Sequence, residues 1–180
     1  MQHELLGWPA HGPTLRLDHE RFAYAGKFVM SSTGKAVARD DGDELVAVVA
    51  FNEDRTDPDT LWLRYVTVRR DRRGEGIGPR LCAFARDRAL DRGYDRLRIA
   101  VNNPFAYDAL HRADFGFTGE TTGLAELVLE YPAPRGGGKR YRTGLEHYAD
   151  RELTVEERAF VENRLERGQP EPIESPAGER

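Results

Sequence analysis

The residues best suited to chemistry form one short run, Arg73-Gly74-Glu75-Gly76-Ile77-Gly78. It lies between a strand pattern ending in Val66-Thr67-Val68 and a helix pattern that opens at Pro79. A helix start carries unpaired backbone amides and a partial positive charge from aligned peptide dipoles. Glycines let an anion approach the main chain with no side chain in the way. Arg69, Arg70, Arg72 and Arg73 add full charge. The chemistry implied is the holding of a phosphate or diphosphate; the bland alternative is a glycine loop that only joins strand to helix.

Two nucleotide-type motifs fit poorly. A P-loop needs Lys-Ser or Lys-Thr after its last glycine, and Pro79-Arg80 stands here instead. The dinucleotide fingerprint needs Gly-x-Gly-x-x-Gly, whereas this turn reads Gly-x-Gly-x-Gly with Pro79 at the last glycine's place. The turn also falls mid-chain, after several strands that read as antiparallel.

The elements that must position this turn can be read by periodicity. Thr14 to Asp18 alternates like a short first strand, and His19 to Met30 reads as one irregular helix. Lys35 to Arg39 and Glu44 to Asn52 are strands joined by Asp41-Gly42-Asp43, a hairpin signal. After a turn at Asp54 to Asp59, Leu61 to Arg69 is the next strand. Pro79 to Arg92 has Leu81, Phe84, Ala85 and Ala89 on one helical face. Gly78 is its expected N-cap, Pro79 its first residue and Gly93 its left-handed stop. Asp95 to Val101 is a strand and Pro104 to Arg112 a helix starting behind Asn103. Phe115 to Thr121 and Leu124 to Tyr131 close as a hairpin around Thr122-Gly123. The order predicts an α+β fold with helices packed on a sheet and a right-handed parallel crossover from Leu61 to Val101.

Pro132 to Gly138 reads as a linker, ending a first domain over residues 1–131. Thr154 and Glu157 predict a capping box for a helix reaching about Arg167, within an extension over 139–167. Residues 168–180, rich in Pro, Glu and Gly, are expected to be disordered. The extension has three readings: a helix packed on its own sheet, an arm for a homodimer, or a lid over an acceptor groove.

The turn, the preceding Val66-x-Val68, the helix after it, and downstream Asn103, Ala106 and Gly116-Phe117 occur in a recognisable order. The set resembles the Arg/Gln-x-x-Gly-x-Gly/Ala motif and flanks of the GCN5-related N-acetyltransferase (GNAT) superfamily, over roughly Thr14 to Tyr131. The resemblance implies a mixed, mostly antiparallel twisted sheet with a splayed parallel central strand pair. It also implies acetyl-CoA as co-substrate. By match, main-chain groups of Val66 and Val68 bind the acyl-pantetheine arm. Amides across Arg73, Gly74, Gly76, Ile77 and Gly78 hold the pyrophosphate, and Asn103 touches the coenzyme from the other side. Asn103 is equally suited to cap the following helix.

The implied reaction is direct attack of an amine on the thioester, with the Val68 amide polarising the carbonyl. Relatives often carry a tyrosine acid on the helix after Asn103. Here His111 is the positional match, with Tyr107 one turn earlier as the other candidate; for both, the plain alternative is helix packing. An imidazole titrating near ~6.5 is chemically suited to the acid role. Tyr65 is a candidate lining residue of the acceptor pocket, and no carboxylate base stands out. A non-catalytic acyl-CoA-binding module with this fold is the alternative to an enzyme.

Composition narrows the field. Cys82 is the only cysteine and the five histidines are scattered, so neither a disulfide nor a metal site is expected. A net charge of -4 without a basic, aromatic-laced stripe argues against nucleic-acid binding. No apolar run nears the ~20 residues of a membrane span, and no secretory signal opens the chain. A cytoplasmic protein acting on a small-molecule or protein amine is expected.

Overall fold

The computed structural model describes residues 1–123 and 125–177. It divides into two compact units, Met1–Leu97 with the C-terminal residues from Glu174, and Arg98–Ile173. Leu124 and residues 178–180, expected from sequence in a hairpin and a tail, lie outside the described residues.

The first unit is a ladder of β1 (Gln2–Gly7), β2 (Gly34–Arg39), β3 (Leu45–Glu53) and β4 (Thr60–Val68), each antiparallel to the next. β5 (Arg96–Val101) enters next in neighbour order. The Asp95 and Arg96 amides both donate to the Asp59 carbonyl, so β5 sets out beside the start of β4 and parallel to it. Between these strands runs α1 (Ile77–Arg92), stopped by Gly93, whose left-handed backbone returns its N–H to Ala89 and Leu90.

Register sorts the side chains. His3, Ala38, Ala47 and Val68 form one cross-strand row, and Ala36, Val49 and Val66 the next. These rows face α1, as the His3–Phe84 ring contact and the closeness of Gly78 to Val68 show. Alanines there let α1 lie close. The alternate rows (Val37, Val48, Thr67; Lys35, Ala50, Tyr65) face the opposite way, where Phe28, Leu15 and Leu17 pack. Fully burying a side chain such as Phe28 contributes roughly 1.5–3 kcal/mol.

Three expectations for this unit need correction. The first strand is β1, whereas Thr14 to Asp18 is an extended loop. Its alternation serves packing, with Leu15 and Leu17 on the core and a single ladder-like bond from the Leu15 amide to Phe28. His19 to Met30 is a string of turns containing one short 3₁₀ helix, Ala25–Val29, since Phe28 anchors it while Tyr24 and Val29 stay exposed. α1 begins at Ile77 rather than Pro79, so its N-cap is Gly76. The Asp-Gly hairpin forms as expected, although the left-handed residue is Asp43 and the turn is tied by Asp40 Oδ1, which accepts from the Gly42 and Glu44 amides.

The second unit holds the rest of β5, then β7 (Glu126–Tyr131) and β6 (Gly116–Thr122) in neighbour order, with β6 and β7 antiparallel. α2 (Pro104–Arg112) starts at Asn103, whose Oδ1 accepts from the Ala106 amide at 2.9 Å. Two more helices complete the unit. α3 (Gly137–Ala149) packs on β6 and α2, and α4 (Val155–Arg167) on α2 and α3. The expected Thr154–Glu157 capping box opens α4. α3 starts at the end of the stretch that reads as a linker and occupies the first part of the extension, because Tyr141, Leu145 and Tyr148 bury their side chains and override the poor propensity of its glycines. Gly168 to Ala177 forms neither helix nor strand, though the Ile173 amide donates to the Arg112 carbonyl.

Candidate active site

The glycine turn closes the end of β4. Just upstream, the β3–β4 register slips between Ala50–Tyr65 and Phe51–Leu63, leaving Arg64 as an extra residue. Such a bulge bends a strand and re-aims the residues beyond it, here Tyr65 to Val68. At the strand's end, the Arg69 amide donates to the Val46 carbonyl at 2.8 Å. Strand alternation then points the Val68 and Val66 amides to the other edge of β4, away from β3. Both valines are half-buried.

At the turn itself, Gly74 (φ 84°) and Gly76 (φ 75°) adopt left-handed backbone, and a Cβ placed on Gly74 would meet nothing within 4 Å. The helix start has no side-chain cap and Pro79 has no N–H, so the Ile77 and Gly78 amides head α1 uncapped. The charges around it divide into two groups. Arg69 pairs with Asp71 (2.7 Å) and Glu44 (2.9 Å), and Arg72 with Glu75 (2.9 Å). Those carboxylates hold the two guanidiniums above their usual range. Arg73 and Arg80 touch only carbonyl oxygens, of Val68 (3.5 Å) and Glu75 (3.0 Å). Two exposed cations thus stand by uncapped amides. The geometry suits an anion.

In the second unit the two expected proton donors sit inside a packed aromatic cluster. Tyr107 is 0% exposed; its hydroxyl donates to the Tyr141 carbonyl at 2.9 Å, and its ring meets Tyr141, Tyr148, Phe117 and His111. Gly144 of α3 makes this possible, since a Cβ there would lie 2.0 Å from the Tyr107 hydroxyl. His111 is 2% exposed, with Nδ1 2.8 Å from the Tyr107 carbonyl. Burial pulls its pKa down to about 4 and pushes that of Tyr107 far up. At neutral pH His111 is therefore a neutral imidazole, and the Tyr107 hydroxyl spends its proton on a backbone carbonyl. Asn103 does cap α2, the plainer of its two expected roles.

Sequence reasoning missed the groups that close this cluster. Asp108, one residue beyond Tyr107, accepts from the Tyr141 hydroxyl at 2.7 Å and pairs with Arg164 at 3.0 Å. Its partners lie 33 and 56 residues away, and no local spacing signals them. Cys82 is buried in α1, its thiol pushed up to about 12, as suits a small core residue. Among the described residues no trio of His, Cys, Asp or Glu could hold a metal, and no helix is long and apolar enough to cross a membrane.

The sequence matches a family described as "Acetyltransferase (GNAT) family" over residues 3–117. That span exceeds half of the chain, and the chain belongs to the GNAT acetyltransferase family. Its α+β sheet, mostly antiparallel with the β4–β5 parallel pair, agrees with that membership. Among solved structures, an acetyltransferase from Bacillus subtilis in complex with CoA matches at TM-score 0.54 and 16% identity, over 72% of this chain and 96% of its own. Nourseothricin acetyltransferase is 26% identical at TM-score 0.49 over 57% of this chain, and the match spans 66% of that protein's length. An N-acetyltransferase from Staphylococcus aureus Mu50 is 19% identical at TM-score 0.48, over 54% of this chain and 66% of its own. No curated protein matches the sequence. α3 and α4 lie beyond the family match.

Proposed function

We propose that the protein is an acetyl-CoA-dependent N-acetyltransferase in which the turn Arg73 to Gly78 receives the coenzyme's pyrophosphate. The observation that carries this reading is the uncapped start of α1, with left-handed Gly74 and Gly76 before it, open space beside Gly74, and Arg73 and Arg80 close by. Acetyl-CoA supplies an activated acyl group as its thioester. The amides of Val66 and Val68, turned to the edge of β4 away from β3, bond the pantetheine arm and the thioester oxygen. The acceptor's amine nitrogen forms a bond to the carbonyl carbon, the carbon–sulfur bond breaks, and the thiolate leaves. Holding both reactants in line contributes much of the acceleration. Water carries the amine's proton away and supplies the thiolate's, while His111 and Tyr107 keep α2 in place.

The acceptor is a small-molecule or protein amine. A thiol-release assay with acetyl-CoA and a broad amine panel tests the reading, with direct acetyl-CoA titration alongside. Turnover on at least one amine supports it. The burial of His111 and Tyr107 favours a second reading, an acyl-CoA-binding module without turnover. Tight acetyl-CoA binding with no thiol release on any amine selects that one.

A further inference from the structure

The first unit carries an open surface depression of about 460 Å³ on the sheet face opposite α1, lined among others by His19, Phe22, Tyr24, Lys27 and Arg70. Three nitrogen bases line it and no carboxylate does. The Lys27 ammonium stands over the Tyr65 ring at 5.6 Å, and Arg70 Nε is bound only to the Glu20 carbonyl. Neither cation has a carboxylate partner among the described residues. Tyr24, a residue 54% exposed, is held in left-handed backbone (φ 58°), its ring 6.2 Å from that of Tyr65. Strain of this kind in a non-glycine residue gathers at ligand-binding positions.

Position links the depression to the reaction. Tyr65 immediately precedes Val66. Two residues on, on the same face of β4, the buried Thr67 hydroxyl has no hydrogen-bond partner. A buried polar group left unpaired costs roughly 1–3 kcal/mol. Arg70 lies three residues beyond Thr67.

We propose that this depression selects the acceptor: an amine that also bears a carboxylate or phosphate, held by Lys27 and Arg70, with Tyr24 and Tyr65 covering its apolar part. This rests on the N-acetyltransferase reading. An anion here has a second possible source, a phosphate of the coenzyme itself, and the test separates the two.

Calorimetry with CoA-saturated protein compares probes that carry an anionic charge, β-alanine and phosphoethanolamine, with counterparts that keep the amine but lack that charge, β-alaninamide and ethanolamine. At least one probe with the anionic charge is expected to bind about tenfold or more tightly than its counterpart. Lys27→Met and Arg70→Met should each erase most of that preference, while affinity for CoA stays within about twofold of wild type. Equal binding of probes with and without the anionic charge, or no binding of either, overturns the proposal. So does a variant that loses affinity for CoA but not for dephospho-CoA, since the cation would then serve the coenzyme's 3′-phosphate. Titration of the wild type with CoA alone keeps the outcomes apart. Failure there with binding of the anionic probes intact removes the transferase reading and leaves the anion site standing.

Discussion

Replacing His111 with Asn tests the assignment of that residue to the core. Asn can donate to the Tyr107 carbonyl from nearly the place of Nδ1, yet it does not titrate. In the wild type, burial lowers the imidazole pKa from 6.5 to about 4. The folded chain therefore stays unprotonated in a window where the unfolded chain binds a proton. A folded pKa lowered in this way gives stability that is fully present above the unfolded pKa and declines as pH falls through the window. With ~1.4 kcal/mol per pKa unit, the loss is about 2 kcal/mol at pH 5 and about 3 kcal/mol at pH 4. Urea unfolding at about pH 7.5 and pH 5 reads it for both proteins. The variant is less stable at the higher pH for its smaller volume, and that deficit should shrink by about 2 kcal/mol at pH 5. His3 is also held low by burial, but it is common to both proteins and cancels in the difference. A deficit that does not change with pH, or an NMR titration of His111 with its midpoint between about 6 and 7, refutes the buried neutral imidazole and reopens its role as an acid.

Other substitutions probe the same unit and the assay itself. Gly144→Ala sets a methyl against the Tyr107 hydroxyl, and denaturant unfolding should show a loss of about 1–3 kcal/mol despite alanine's better helix propensity; an unchanged midpoint would mean that α3 does not press on Tyr107. Asp108→Asn removes the charge between Tyr141 and Arg164 and should cost about 3 kcal/mol by the same measurement, with a loss below about 1 kcal/mol counting against a shared network. Cys82, buried with a pKa near 12, should react with a thiol reagent only after denaturation. Rapid labelling of the native protein would contradict its burial and would add background to any thiol-release assay.

Legibility in the sequence tracks the range of the forces involved. α1 with its Gly93 stop, the Thr154–Glu157 box, the Asp-Gly hairpin and the Asn103 cap depend on residues within a few positions of one another, and each is legible. β1 is hard to tell from Thr14 to Asp18 because both stretches alternate. Only pairing with β2, some 30 residues on, distinguishes them. α3 is hidden by its glycines, since tertiary burial of Tyr141 and Tyr148 makes it form. The turn before α1, with left-handed Gly74 and Gly76, can be read because such a turn is set by local backbone. The bulge at Arg64 cannot, being a property of two strands in register. The burial of His111 is equally hard to read, because α3, some 30 residues on, supplies the neighbours that cover it.

On the proposed function, bare peptide nitrogens at the head of α1 receive the coenzyme's diphosphate. Gly76→Asp keeps a residue type that tolerates left-handed backbone while setting a carboxylate at that spot. Isothermal titration of the wild type and this variant with acetyl-CoA, with circular dichroism confirming the fold, is the most direct test. Saturable binding by the wild type and a loss of about a hundredfold or more in the variant is the expected result. Equal affinity in the two proteins, or no binding by the wild type, would contradict it.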